Sequence, residues 1–235
     1  MKGIRVDKPG NKPYLVTGHK MYMIGSQDGL FPERGEHLPY QMWGVWAPPV
    51  KVLNGLWLKV NGELASQAAS YEQLPWGASF RYEGQDFRME RFQFIPQEEK
   101  GLILRVSLHN LSGKAREYEL SLGLQANLMP VWLAERAGIE DGKDSAAFEE
   151  ETGRLFLTDD KNPWTAVVSS DRKMQLVEGA KVPQERRENP LDCYCEVSCK
   201  VELAQEETGT VDFYLAFSEH SREEAIKTLT VLEQE

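Results

Sequence analysis

The sequence predicts an all-β chain, a large antiparallel β-sandwich closed by one C-terminal helix. Three observations carry this reading. Leu102, Leu104, Val106 and Leu108 alternate with Ile103, Arg105, Ser107 and His109. Asn110-Leu111-Ser112-Gly113 then turns, and Tyr118, Leu120, Leu122 and Leu124 return, which is the period-2 signature of two long strands joined by a short turn. From Leu191 to Leu203 the alternation is again strict: Cys193, Cys195, Val197, Cys199, Val201 and Leu203 share one face, and Asp192, Glu196, Lys200 and Glu202 the other. Finally, Ser221-Arg222-Glu223-Glu224 is a capping box that opens a helix with Ala225, Ile226, Leu229 and Leu232 on one stripe.

Taken in order, residues 1–13 are polar and hold Pro9-Gly10 and Pro13, a lead-in to a sandwich over 14–220. Tyr14–Val16 and Lys20–Ile24 read as the first strands. Residues 25–49 carry four prolines and several glycines, which excludes a long helix or a continuous central strand and predicts an ordered irregular excursion. Val50–Leu53 and Leu56–Val60 flank Asn54-Gly55, a type I′ hairpin signal, and Asn61-Gly62 turns the chain again. Residues 66–75 read as loop or a short helical turn. Ala78–Gly84 and Phe87–Ile95 form a hairpin, followed by the two long strands above. Residues 127–150 form a second excursion that breaks at Pro130 and carries Trp132; its acidic turn Glu140-Asp141-Gly142-Lys143-Asp144 lacks EF-hand spacing and reads as solvated charge. Short strands follow at 153–157, 164–169 and 174–177, then the cysteine strand, a last central strand at Thr210–Phe217, and the helix from Ser221.

Composition narrows the function. The hydrophobic share of 41%, with six Trp, eight Tyr and nine Phe, is ample for a buried core. A net charge of −10, from 27 basic and 37 acidic residues, disfavours nucleic acid and anionic membranes as partners. The N-terminus has no apolar signal core and no run is long enough to span a bilayer, so the expected compartment is the cytoplasm. Cys-x-Cys-x3-Cys invites a metal reading, yet thiols at i and i+2 of a strand project roughly 6–7 Å apart, too far to close on one tetrahedral ion. The thiols therefore read as small hydrophobes, and neither a metal nor a cofactor is expected.

The excursion at 25–49 spends Phe31, Tyr40, Met42, Trp43 and Trp46 where a flexible linker would not. Aromatic faces stack on the apolar faces of pyranose rings while Asp, Gln, His and Arg take the hydroxyls, so this stretch suits sugar binding; the alternative is that its tryptophans fill a core or an interface. The segments Gly25-Ser26-Gln27-Asp28-Gly29, Phe31-Pro32, His37 and Met42-Trp43-Gly44-Val45-Trp46-Ala47-Pro48-Pro49-Val50-Lys51-Val52-Leu53-Asn54-Gly55-Leu56-Trp57 resemble the N-terminal domain of bacterial glycogen debranching enzyme-related proteins, similar to glycoside hydrolase family 63. Here Trp43 stands inside the family's Met-Gly pair and Asn54 where an Asp is usual. The resemblance implies a β-supersandwich of the galactose mutarotase-like, glycosidase N-terminal type, preceding an (α/α)6 barrel that carries the catalytic carboxylates. It also implies that the helix from Ser221 to Glu235 opens a linker into that barrel, and that the substrate is an α-glucan or oligosaccharide. On that resemblance Trp43 and Trp46, with Asp28, His37, Gln41 and Lys51, are the candidate sugar or interdomain contacts, joined by Trp132.

Within the chain no motif forces two carboxyl groups together at a glycosidase separation, and nucleotide, flavin and zincin motifs do not occur. The expected role is thus a non-catalytic domain that shapes a sugar cleft. Two alternatives stay open. A free-standing aldose mutarotase-like enzyme would need His37 or His109 beside a carboxylate in a cleft, and a carbohydrate-binding module would need exposed, coplanar tryptophans.

Overall fold

The computed structural model describes residues 3–31, 42–131, 134–183 and 189–234. In chain order the strands are β1 (Ile4–Asp7), β2 (Pro13–Thr17), β3 (Tyr22–Ser26), β4 (Gly44–Ala47), β5 (Val50–Val60), β6 (Glu63–Leu64), β7 (Ser70–Leu74), β8 (Gly77–Glu83) and β9 (Phe87–Phe94). They continue with β10 (Gly101–Asn110), β11 (Arg116–Pro130), β12 (Asp144–Glu149), β13 (Arg154–Asp159), β14 (Thr165–Ser170), β15 (Gln175–Leu176), β16 (Cys193–Leu203) and β17 (Thr208–Ser218). A 3-10 turn spans Ala134–Ala137, and α1 (Arg222–Leu232) follows the last strand.

Two antiparallel sheets result. The first has nine strands in the order β1-β7-β8-β9-β10-β17-β14-β13-β12. The second has eight, in the order β15-β16-β11-β5-β4-β3-β2, with β6 paired to β5. The core lies between them, where Leu102, Leu104, Val106 and Leu108 of β10 meet Tyr118, Leu120, Leu122 and Leu124 of β11. Helix α1 lies back across the outer face of the first sheet, where Ala225, Leu229 and Leu232 bury against Ile103, Phe156, Val167 and Ala216. Ser221 caps it, with the Glu224 amide donating to Ser221 Oγ at 3.2 Å. No helix among the described residues is long and apolar enough to cross a membrane.

Four local expectations are corrected. The two longest strands of the sequence pattern do not pair with each other: β10 pairs with β9 and β17, and β11 with β5 and β16. Their apolar faces instead oppose each other across the sandwich, so the turn after Asn110 carries the chain from one sheet to the other. Asn110 is fully buried. Its Nδ2 lies within hydrogen-bonding distance of the carbonyls of Lys114, Leu203 and Ala204, and its Oδ1 accepts from the Ser112 amide and the Tyr118 hydroxyl. One side chain thereby holds this crossover to the neighbouring β16-to-β17 crossover. Replacing Asn110 with Ala strands several buried polar groups, and the expected cost is about 3 kcal/mol in urea unfolding.

Asn54-Gly55 does not turn. β5 runs straight through it, because Asn54 is engaged by other strands and Gly55 makes room for Phe31: a Cβ there would meet Phe31 and Trp57 at 3.0 Å. The turn falls at Asn61-Gly62, whose φ values of 51° and 81° suit a tight β5–β6 hairpin. Within the segment read as loop at 66–75, Ser70–Leu74 is strand β7, held because Tyr71 packs on Tyr14 and Phe80 in the core; Ile4–Asp7 of the lead-in pairs with it. The 25–49 excursion likewise contains a strand, β4, between β3 and β5.

Candidate functional site

The outer face of the second sheet, away from the core, is where polar and aromatic side chains gather. The registers of β5, β11 and β16 place Lys59, Ser121 and Ser198 in one cross-strand row, Trp57, Gly123 and Glu196 in the next, and Gly55, Gln125 and Tyr194 in the third. Two glycines in the middle of three long strands mark a close approach. Tyr194 lies over Gly123, where a Cβ would overlap the phenol oxygen. There its hydroxyl donates to Glu196 Oε2 at 2.9 Å, and its ring meets Trp57 edge to face at 6.0 Å. Phe31 meets the other side of Trp57 at 6.3 Å. Lys59 Nζ reaches the same Glu196 oxygen at 2.6 Å. Trp57 and Glu196 are 1% and 3% exposed, while Lys59 and Tyr194 stand half-buried at the margin. Burial, reinforced by the Glu196 charge, pushes the Tyr194 phenol well above its usual range, so it remains a donor.

A second group adjoins the first. Asp192 accepts from Asn54 Nδ2 at 2.5 Å and Gln125 Nε2 at 3.2 Å through one oxygen, and from Asn189 Nδ2 at 2.5 Å through the other. Asn127 donates to Asn54 Oδ1 at 2.9 Å. Asn54 sits at the irregularity where β5 slips against β11, which turns its amide onto this face. Beside this network, Asp144 opens β12. One of its oxygens accepts from the Leu128 amide at 3.0 Å, while Oδ1 has no partner. Asp144 is 5% exposed, and burial, opposed by the Leu128 hydrogen bond and aided by Asp159 and Asp192, pushes its carboxyl up to about 8. The acidic turn is therefore not wholly solvated charge. Its last residue is buried because β12 draws it between β11 and β13.

The sequence-derived candidates divide. Trp46 and Lys51 are brought together on this sheet: Lys51 Nζ lies 5.5 Å from the Trp46 ring, Tyr22 stacks on that ring at 6.2 Å, and the indole N–H donates to the Met42 carbonyl at 3.1 Å. Both are buried, at 1% and 2% exposure, so they support the surface instead of forming it. Trp43 is half-buried and Met42 exposed just before β4. Asp28 goes elsewhere, to a turn where its carboxylate accepts from the Leu30 amide at 3.0 Å. His37, Gln41 and Trp132 lie outside the described residues. His109 is on the first sheet, beside Thr208 and Glu206 at the crossover end, and takes no part in this face. The cysteines keep their assigned face: Cys195 and Cys199 are buried in the core, and burial pushes both thiols up to about 12. Among the described residues no group of His, Cys, Asp or Glu is placed to hold a metal ion.

Solved structures share this architecture. A bacterial glucoamylase complexed with acarbose matches with a TM-score of 0.60 at 13% identity, over 99% of this chain and 36% of that one. A protein provisionally named kojibiose phosphorylase, from the human microbiome, matches with a TM-score of 0.54 at 9% identity, over 99% of this chain and 37% of that one. A galactose mutarotase related enzyme from Lactobacillus acidophilus matches with a TM-score of 0.54 at 9% identity, over 90% of this chain and 99% of that one. The chain has the galactose mutarotase-like β-sandwich fold. No protein-family model matches the sequence, and no curated protein matches it. The chain spans little more than a third of the glucoamylase and phosphorylase chains, and nearly the whole of the mutarotase-related one.

In this mutarotase-like sandwich the sequence pattern missed Trp57, Lys59, Tyr194, Glu196, Asp192, Asn54 and Gln125 as a group. A hairpin at Asn54-Gly55 hid the common face of Trp57 and Lys59, and Asp192 and Glu196 were placed only on the polar face of their strand. The available signal was Gly123, a lone glycine in a long apolar strand.

Proposed function

We propose that the chain is a carbohydrate-directed β-supersandwich domain of an α-glycosidase of the glycogen debranching-related kind. In this reading it packs on an (α/α)6 catalytic barrel and shapes the sugar cleft without supplying the catalytic carboxylates. One observation carries it: the outer face of β5, β11 and β16 is an aromatic floor of Trp57 and Tyr194 set among amides and carboxylates. A sheet face meant only for water needs no buried Trp, Glu and Asn. The likeness of the whole chain to about a third of a glucoamylase chain supports the same reading. Because the floor is buried, direct contact with an α-glucan falls to its margin: Trp43 and Met42 at one side and Tyr194 and Lys59 at the other, with Trp46 and Lys51 holding Met42 in place. His37, Gln41 and Trp132 are proposed contacts of the same cleft or of the barrel, and Asp28, whose turn lies away from this face, of the barrel. Three free thiols and the acidic charge fit a reducing cytoplasm.

The test is titration with maltooligosaccharides followed by tryptophan fluorescence. Saturable binding is expected, weakened about tenfold in Trp43→Ala, equivalent to about 1.4 kcal/mol. A flat titration of the parent protein would remove the sugar-facing role. A second reading, a free-standing mutarotase-like enzyme, is favoured by the near-complete overlap with the mutarotase-related chain. Polarimetry separates the two: acceleration of glucose mutarotation over buffer supports the enzyme, and its absence alongside saturable binding supports the domain.

A further inference from the structure

The sheets present edge strands β1 and β12 on the first and β2, β6 and β15 on the second. An edge offers unpaired N–H and C=O groups to any extended chain, and short strands, prolines and like charges blunt it. Most of these edges are blunted against their own kind. β6 and β15 have two residues each, β2 opens with Pro13, which has no N–H to give, and the charged residues of β12 are both acids, Asp144 and Glu149. β1 differs, because Ile4-Arg5-Val6-Asp7 carries one charge of each sign, two residues apart.

The register of β1 decides which of its backbone groups are free. It pairs with β7 from Ile4–Gln73 to Asp7–Ser70, and the Lys8 amide donates to the Ala69 carbonyl at 2.9 Å in the same register. Hydrogen-bonded and non-bonded pairs alternate in an antiparallel ladder. Lys8, Val6 and Ile4 therefore turn their N–H and C=O groups toward β7, and Arg5 and Asp7 turn theirs toward the open edge. Val6 packs its side chain against the core, so Arg5 and Asp7 share the outer pleat face. Arg5 Nε lies 2.9 Å from Asp7 Oδ1, and the two side chains are 51% and 73% exposed. Ile4, on the Val6 face, is 71% exposed.

Two copies of this edge can meet antiparallel about a two-fold axis. Registers that set Arg5 against Arg5, or Asp7 against Asp7, place like charges directly opposite and are disfavoured. The register centred on Val6 places each Arg5 opposite the Asp7 of the other copy. There the free N–H and C=O groups of Arg5 and Asp7 form a hydrogen-bonded pair on either side of the axis, and every charge on the shared pleat face meets its opposite. We propose that β1 is a self-recognition edge, onto which a second copy of this chain adds its own β1 in the Val6-centred register. The pairing joins two nine-stranded sheets into one and draws the exposed Ile4 toward the second copy's strand. So small a contact gives weak association, with a Kd on the order of 0.1 mM, and salt weakens it further. It uses no residue of the outer-face site and stands independently of the sugar reading.

Sedimentation velocity over about 10 µM to 1 mM protein tests the proposal. The mean sedimentation coefficient of the parent is expected to climb from the monomer value toward that of a dimer, and to climb less in about 1 M sodium chloride. Asp7→Arg faces only Ser70 across the β1–β7 ladder, and it sets cation against cation at the dimer seam. It should weaken association at least about tenfold. Arg5→Asp should do the same, and an equimolar mixture of the two variants should associate as the parent does, because each cation again meets a carboxylate. Should Arg5→Asp loosen β1, since it faces Glu72, the parent and Asp7→Arg decide alone. A parent that stays monomeric at about 1 mM, or an Asp7→Arg variant that associates as strongly as the parent, would overturn the assignment. So would a mixture of the two folded variants that associates no better than either by itself.

Discussion

Lys59→Met is expected to lose about 3–5 kcal/mol of stability at pH 7, among the largest losses of any single substitution on the outer face. The Glu196 side chain is 4% exposed and that of Lys59 17%, so the pair is screened by little solvent. Removing Lys59 leaves a carboxylate whose remaining contact is the Tyr194 hydroxyl, in a row closed by Trp57 on one side. Met keeps the length and apolar character of the lysine stem, so the loss reports charge and not packing. The double variant Lys59→Met/Glu196→Leu should recover most of it, because a well-packed apolar pair of similar volume is often no worse than a buried ion pair. Tyr194→Phe should cost less, about 1–2 kcal/mol, the value of one hydrogen bond to a charged group. The measurement is urea unfolding with slopes compared across the set. A single-variant loss under about 1 kcal/mol, or a double variant no better than the single, would show that the pair is solvated and that this face is open to water.

The second large effect is a pH dependence removed by Asp144→Asn. The Asp144 carboxyl sits near 8 in the folded chain against about 3.9 in an unfolded one, the reverse of the usual carboxylate shift. Over that window the unfolded state gives up the proton while the folded state keeps it. Stability contributed by the protonated form is therefore complete below about pH 4 and drains away as pH rises to about 8. With Asp144 only 5% exposed, the full span is on the order of 5 kcal/mol. Asn keeps an oxygen for the Leu128 amide and carries no charge to bury beside Asp159 and Asp192. The variant should thus match the parent below about pH 4 and exceed it by several kcal/mol near pH 8.5, read as guanidinium midpoints across pH. Parallel pH profiles for parent and variant would sink the claim that Asp144 is neutral in the folded protein at pH 7.

Glu196 on the outer face of the second sheet is held by the Lys59 cation, whereas Asp144, at the start of β12 in the first sheet, is pushed toward its neutral form by burial.

What the sequence determined by itself was the local grammar. Period-2 alternation located β8 to β11, β16 and β17 and gave their apolar faces, and Ser221 with Glu224 located α1 and the stripe it buries. Cys195 and Cys199 were legible as core thiols for the same reason. Partnership was not legible. The same Asn-Gly pair turns the chain at Asn61-Gly62 and runs straight at Asn54-Gly55, because only the second is flanked by Phe31, Asn127 and Asp192 from distant parts of the chain. The longest strands, β10 and β11, looked like a hairpin and were divided between two sheets, because burying both apolar faces against each other outweighs pairing neighbours in sequence. Lys59 and Glu196, 137 residues apart, carry no local sign of each other, and only the β5–β11–β16 register sets them 2.6 Å apart. Alternation fixes which way a side chain points, whereas the depth of water above it depends on strands that pair over long sequence separations; hence the fold class was written locally and the site was decided by tertiary structure.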